Sequence, residues 1–129
     1  MAELLVPISP GELIDKITIL EIKSERMSDA KKVANVRHEL GLLKDTWQAS
    51  DYSRTDISAE WARLKHINEQ LWVIEDDIRD KERARQFDAR FIELARAVYV
   101  TNDERAAVKR LINDRLGSKI VEEKSYQAY

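Results

Sequence analysis

VANVRHELGLLKDTW (residues 33–47) and LKHINEQLWVIEDDI (residues 64–78) are the two stretches whose reading decides the fold. In the first, Val33, Val36, Leu40, Leu43 and Trp47 recur at steps of three and four. Leu64, Ile67, Leu71, Ile74 and Ile78 repeat that spacing in the second. Each set falls on one side of an α-helix and forms an apolar stripe that needs another helix to cover it. The chain reads first as a helical packing unit.

Working outward toward the N-terminus, Ser9, Pro10 and Glu12 spell a helix start: a capping hydroxyl, a proline at the first helical position and a glutamate three residues after the cap. Ile8 and Leu13 hold the staple positions around it. The first helix is expected from Pro10 to about Arg26. Its wheel puts Leu13, Ile14, Ile17 and Leu20 on one face and Ile19 and Ile22 roughly opposite, so the helix is expected at the centre of the bundle, or else in a subunit interface. Residues 1–8 read as an extended lead-in or short edge strand, limited by Pro7. Ser28 or Asp29 starts a second helix that reaches Trp47 and makes an antiparallel hairpin with the first. Gly41 within it suggests close approach of a neighbouring backbone.

Toward the C-terminus, residues 48–57 form a loop, and a third helix begins near Ser58. Residues 79–86 contain no breaker, so whether the third helix runs into the next is open. Asp88 can cap a fourth helix that buries Phe87, Phe91, Leu94 and Val98. Thr101 with Glu104 has the pattern of another capping box, opening a fifth helix that stops at Gly117. Residues 118–129 are expected to be an extended tail that packs back, with Ile120, Val121, Tyr126 and Tyr129 available to dock.

A chain of 129 residues suits one domain, 1–129. Charged residues make up 36%, but 22 Lys and Arg nearly balance 24 Asp and Glu, as in helices with ion-paired outer faces. Residues 79–129 hold 12 basic against 9 acidic side chains. That excess is too small to neutralise a phosphate backbone, and no nucleic-acid partner is expected. With no cysteine, disulfides, thiol catalysis and cysteine-held zinc are excluded. The first ten residues lack the basic-then-apolar pattern of a secretory signal, and no run approaches the ~20 apolar residues of a membrane span. A cytoplasmic protein is the expectation.

The polar candidates fall into three groups. Glu12, Asp15 and Lys16 lie in the first turns of helix one, where Asp15 falls between Ile19 and Ile22; Glu21 borders the main apolar face. A carboxylate held beside apolar groups needs a cation or several donors, which reads either as a ligand or metal carboxylate or, preferably, as an ion pair between helices. Asn102, Arg105, Lys109 and Asn113 form one stripe near the core margin, able to hold a phosphate or carboxylate or to anchor those acidic groups. Glu122, Glu123, Lys124 and Tyr126 in the tail complement both. The three groups are expected to converge on one polar pocket with the tail as a lid. Glu12-x-x-Asp15 also resembles half of the acidic metal motif of all-α nucleotide pyrophosphatases, without its paired-glutamate half. Glu75-Asp76-Asp77 with Asp80 points in several directions and reads as a solvated face. His38 and His66 have no ligand spacing or nucleophile partner. No metal or cofactor is expected. Trp72 faces away from its ladder and suggests a second packing surface.

GELIDKITILEIK at residues 11–23, then Val98-Tyr99, Asn102 to Ala107, Lys109 and Ile112-Asn113, and finally Gly117-Ser118 with Ile120 to Tyr126, resemble a small bacterial family of uncharacterised proteins. The resemblance spans essentially the whole chain. It implies a compact, stand-alone domain, in some instances accompanying surface-sugar or glycosyltransferase genes, and carries no catalytic assignment. The combined expectation is an all-α bundle built on the N-terminal antiparallel hairpin, with an extended tail packed on it. Its leading function is a non-enzymatic interaction or assembly module, a homodimer or the partner of another protein. A small helical enzyme or a binder of a small anionic ligand is the alternative.

Overall fold

The structure, a computed structural model, describes residues 2–129. Met1, the first residue of the expected lead-in, lies outside the described residues. Four α-helices follow one another: α1 (Pro10–Arg26), α2 (Ala30–Ala49), α3 (Ser58–Arg83) and α4 (Ala89–Leu116), with a 3-10 turn at Asp51–Arg54 between α2 and α3. No strand occurs among the described residues, so the lead-in is extended without pairing.

Each boundary has a local cause. Ser9 Oγ accepts from the Glu12 amide at 3.1 Å and Pro10 opens α1. Asp29 caps α2 by accepting from Lys32 N at 3.0 Å, and Asp88 caps α4 through Phe91 N at 3.0 Å. Gly117, at φ +68°, closes α4 in the left-handed conformation, with Ser118 N donating to Asn113 O at 2.9 Å.

Helices α3 and α4 are separate. Gln86 N donates to Lys81 O and Arg85 N to Glu82 O, the two bonds of a Schellman ending. Arg85 occupies its left-handed position at φ 56°. That position usually holds glycine, so an arginine there conceals the break in the sequence.

The expected fifth helix does not exist. Thr101 is buried in the middle of a continuous α4. The segment around it has neither glycine nor proline, and inside a formed helix the amides a capping hydroxyl would serve are already bonded.

The core comprises Leu13, Ile14, Ile17, Trp47, Ile57, Leu64, Ile67, Val108 and Ile112. Helix α1 is central and packs against α2, α3 and α4, which accounts for its two apolar faces: Ile17 and Ile22 are both buried. The α3–α4 pair adds a second hairpin to the expected first one. Trp47 and Trp61 meet edge to face at 6.0 Å.

Two expectations of burial fail. Phe87 is 52% exposed and packs edge-on against Phe91, because it precedes the cap and sits outside the helix it was expected to anchor. Gly41 has open space on its side-chain side: a Cβ there would meet nothing within 4 Å, so no backbone approaches it.

Candidate functional site

Helix α1 starts against the C-terminal half of α4, and glycine makes that approach feasible. A Cβ on Gly11 would lie 2.5 Å from the Lys109 carbonyl oxygen and 2.8 Å from Asn113 Oδ1. The Gly11 amide, one of the donors a helix start leaves without a partner, donates to Asn113 Oδ1 at 2.7 Å. Asn113 thus caps α1 from another helix; its Nδ2 is buried without a partner among the described residues.

One turn further on, Asp15 is 1% exposed. Arg105 grips it from the side: Nε donates to Oδ1 at 2.8 Å and Nη2 pairs with Oδ2. Asn68 Nδ2 adds a bond to Oδ1 at 3.0 Å and a second to Thr18 Oγ1, whose hydroxyl donates to the Asp15 carbonyl at 2.8 Å. A carboxylate this deep is tolerable only with such partners. The hydrogen bond to Asp15 raises the Arg105 pKa above its ordinary value.

Lys109, 7% exposed, lies 2.7 Å from Glu12 and 3.4 Å from Glu122 of the tail. Burial alone would lower its pKa, but Glu12, Asp15 and Glu122 outweigh that and raise it. The tail is also pinned by Lys124 to Asp103, by Glu123 to Arg110 at 3.8 Å, and by the edge contact of Tyr129 with Tyr99. Its apolar side chains Ile120, Val121 and Tyr126 remain exposed, so charge rather than burial holds it.

Two clefts flank this network. One, of about 800 Å³, runs between α4 and the tail past Asn102, Arg105 and Lys109. The other, of about 420 Å³, opens between α1, α3 and α4 and is lined by Ile19, Ile22, Leu71 and Trp72. Arg105 and Asn102 belong to both.

The expected site residues therefore divide. Arg105 with Asp15, and Lys109 with Glu12 and Glu122, form two neighbouring ion-pair groups, with Asn113 beside them. Asn102, Glu123, Lys124 and Tyr126 line the larger cleft. Lys16 is on the exposed side of α1, 3.9 Å from Glu12. Glu21 is elsewhere: it accepts from Trp61 Nε1 at 3.1 Å and faces Lys44 at 3.7 Å, between α1, α2 and α3. Asn68 and Thr18 are site residues that the sequence pattern does not single out. A signal for Asn68 exists, since it falls on the α3 face of Leu64, Ile67 and Leu71, and an amide there needs a buried partner. Among the described residues, no group of three or more His, Asp or Glu side chains gathers to hold a metal.

Residues 4–129 match a family of unknown function (DUF6165), and the chain belongs to that family. No curated protein and no solved structure matches it.

Proposed function

We propose that this chain is a non-enzymatic assembly module that pairs with a second copy of itself through its N-terminal lead-in. The observation that carries the reading is the exposure of Leu4, Leu5 and Val6, at 93%, 89% and 70%. Among the described residues, none of the backbone groups of residues 2–8 bonds to another part of the main chain. An extended apolar segment with open amides and carbonyls is a template for strand pairing. Pairing of two identical lead-ins about a twofold axis satisfies both at once. Pro7 removes one donor and keeps such a pair to a single edge. A net charge of −2 offers little self-repulsion.

The larger cleft supports this reading over an anion site there, because Arg105, Lys109 and Lys124 already hold carboxylates of the same chain. From the sequence resemblance the proposal carries a bacterial setting beside surface-carbohydrate or glycosyltransferase machinery, and it keeps the cytoplasmic expectation. Light scattering coupled to size exclusion tests the assembly. The intact chain is expected as a dimer, and Leu4→Asp with Leu5→Asp as a monomer of unchanged helix content. A monomeric parent at about 100 μM, a concentration far above the micromolar range of moderate affinities, overturns it.

A further inference from the structure

The smaller cleft differs from its neighbour in having polar groups that nothing among the described residues answers. Lys23 and Asp76 both line it. Neither has an opposite charge within 4.0 Å among the described residues. Arg105 uses Nε and Nη2 on Asp15, and its Nη1 has no partner among the described residues. The Asn102 carboxamide has no hydrogen bond among the described residues, and Asn68 uses only its Nδ2. Ile19, Ile22, Leu71 and Trp72 supply an apolar wall beside these donors and acceptors.

The charges set the ligand class. Arg105 is balanced by Asp15 and Arg79 by Glu75, so the open charges are one ammonium and one carboxylate. A simple anion would answer Lys23 and leave Asp76 without a counter-charge; a simple cation would do the reverse. A molecule carrying both charges answers both. A volume of about 420 Å³ lies within the range of small-ligand clefts and holds one amino-acid-sized molecule.

We infer that this cleft binds a zwitterionic small molecule of the α-amino-acid type with an apolar side chain. Its carboxylate faces Lys23 and Arg105 Nη1, its ammonium faces Asp76, and its side chain lies on Ile19, Ile22, Leu71 and Trp72. Charge-assisted hydrogen bonds at both ends give specificity, and the wall supplies the apolar burial. The site is on the α1–α3–α4 side of the bundle and does not involve the lead-in, so it stands or falls separately from self-association.

The test is titration of the full chain with L-phenylalanine and with L-leucine, following the three indole N–H signals by NMR. Saturable movement of the Trp72 signal is expected, with Trp47 and Trp61 unmoved. Phenethylamine, which lacks the carboxylate, and 3-phenylpropionate, which lacks the ammonium, are expected to bind roughly tenfold more weakly than phenylalanine or worse. Asp76→Asn and Lys23→Gln, on the rim and outside the core, are expected to keep the helical circular dichroism and weaken phenylalanine by a similar factor. Asp76→Asn should erase the disadvantage of phenylpropionate. The inference is overturned if neither amino acid moves Trp72 at about 10 mM, beyond the weak end of ordinary ligand affinity, or if either truncated analogue binds as well as phenylalanine.

Discussion

The two clefts on either side of Arg105 are built from the same residues at their shared wall and end in opposite states. On the tail side the lysines and arginines have found carboxylates of their own chain: Lys109 with Glu12 and Glu122, Lys124 with Asp103, Arg110 with Glu123. On the α1–α3–α4 side Lys23 and Asp76 have no opposite charge within 4.0 Å among the described residues and lie beside an apolar wall. Similar side chains therefore act as a brace in one place and stay available in the other. What separates them is the tail: its Glu122 and Glu123 add to the Glu12 pair on the first side, and no tail residue lines the second cleft.

The largest expected effect tests the wall itself. Arg105→Ala leaves Asp15 buried without its cation, and removal of one partner from a buried pair costs about 3–5 kcal/mol. Urea denaturation should show that loss. A change below about 1 kcal/mol, the scale of exposed pairs, would mean the two clefts share no structural wall.

A smaller effect tests how α1 is seated. Gly11→Ala forces a Cβ into the Lys109 carbonyl and should destabilise by about 1–3 kcal/mol, the usual cost of overpacking. Gly41→Ala is its control: with open space around it, the change should stabilise α2 by about 1 kcal/mol. Equal effects of the two would remove the close α1–α4 contact on which both clefts depend.

The smallest effect tests the brace. Glu122→Gln removes a partly exposed pair and should cost less than about 1 kcal/mol, while loosening the tail in hydrogen exchange. Acid should act in the same direction. Hydrogen bonds from Lys124 and then Tyr129 hold Asp103 below the usual carboxylate value of 3.8. Its contribution is present above that pH and is lost as the pH falls through the lowered value. Tail signals should therefore shift in strongly acid solution before the helices melt. Loss of helix and tail together would make the tail part of the core.

Much of the fold was legible in the residues. The two ladders announced α2 and α3, Ser9-Pro10 and Asp88 marked their helices' starts, and Gly117 marked the last end. Misreadings came where a local pattern was ambiguous. Thr101-x-x-Glu104 has the composition of a start, but only inside an unformed segment is there an amide to cap. Arg85 occupies a conformation that composition assigns to glycine. Phe87 looks like core until the cap places it outside.

For the site, the chain order supplied the right kinds of group but not their pairing. Asp15 beside apolar neighbours needed a cation or several donors, because its isolated burial is too costly. Nothing in the spacing chose Arg105 over Lys44, or sent Glu21 to Trp61 instead. Sequence by itself determined which faces of each rod are apolar, since that follows from a period of 3.6 residues. Only the tertiary structure decided which charges meet and which stay open, because that depends on how helices far apart in the chain cross and on what a charged tail can reach.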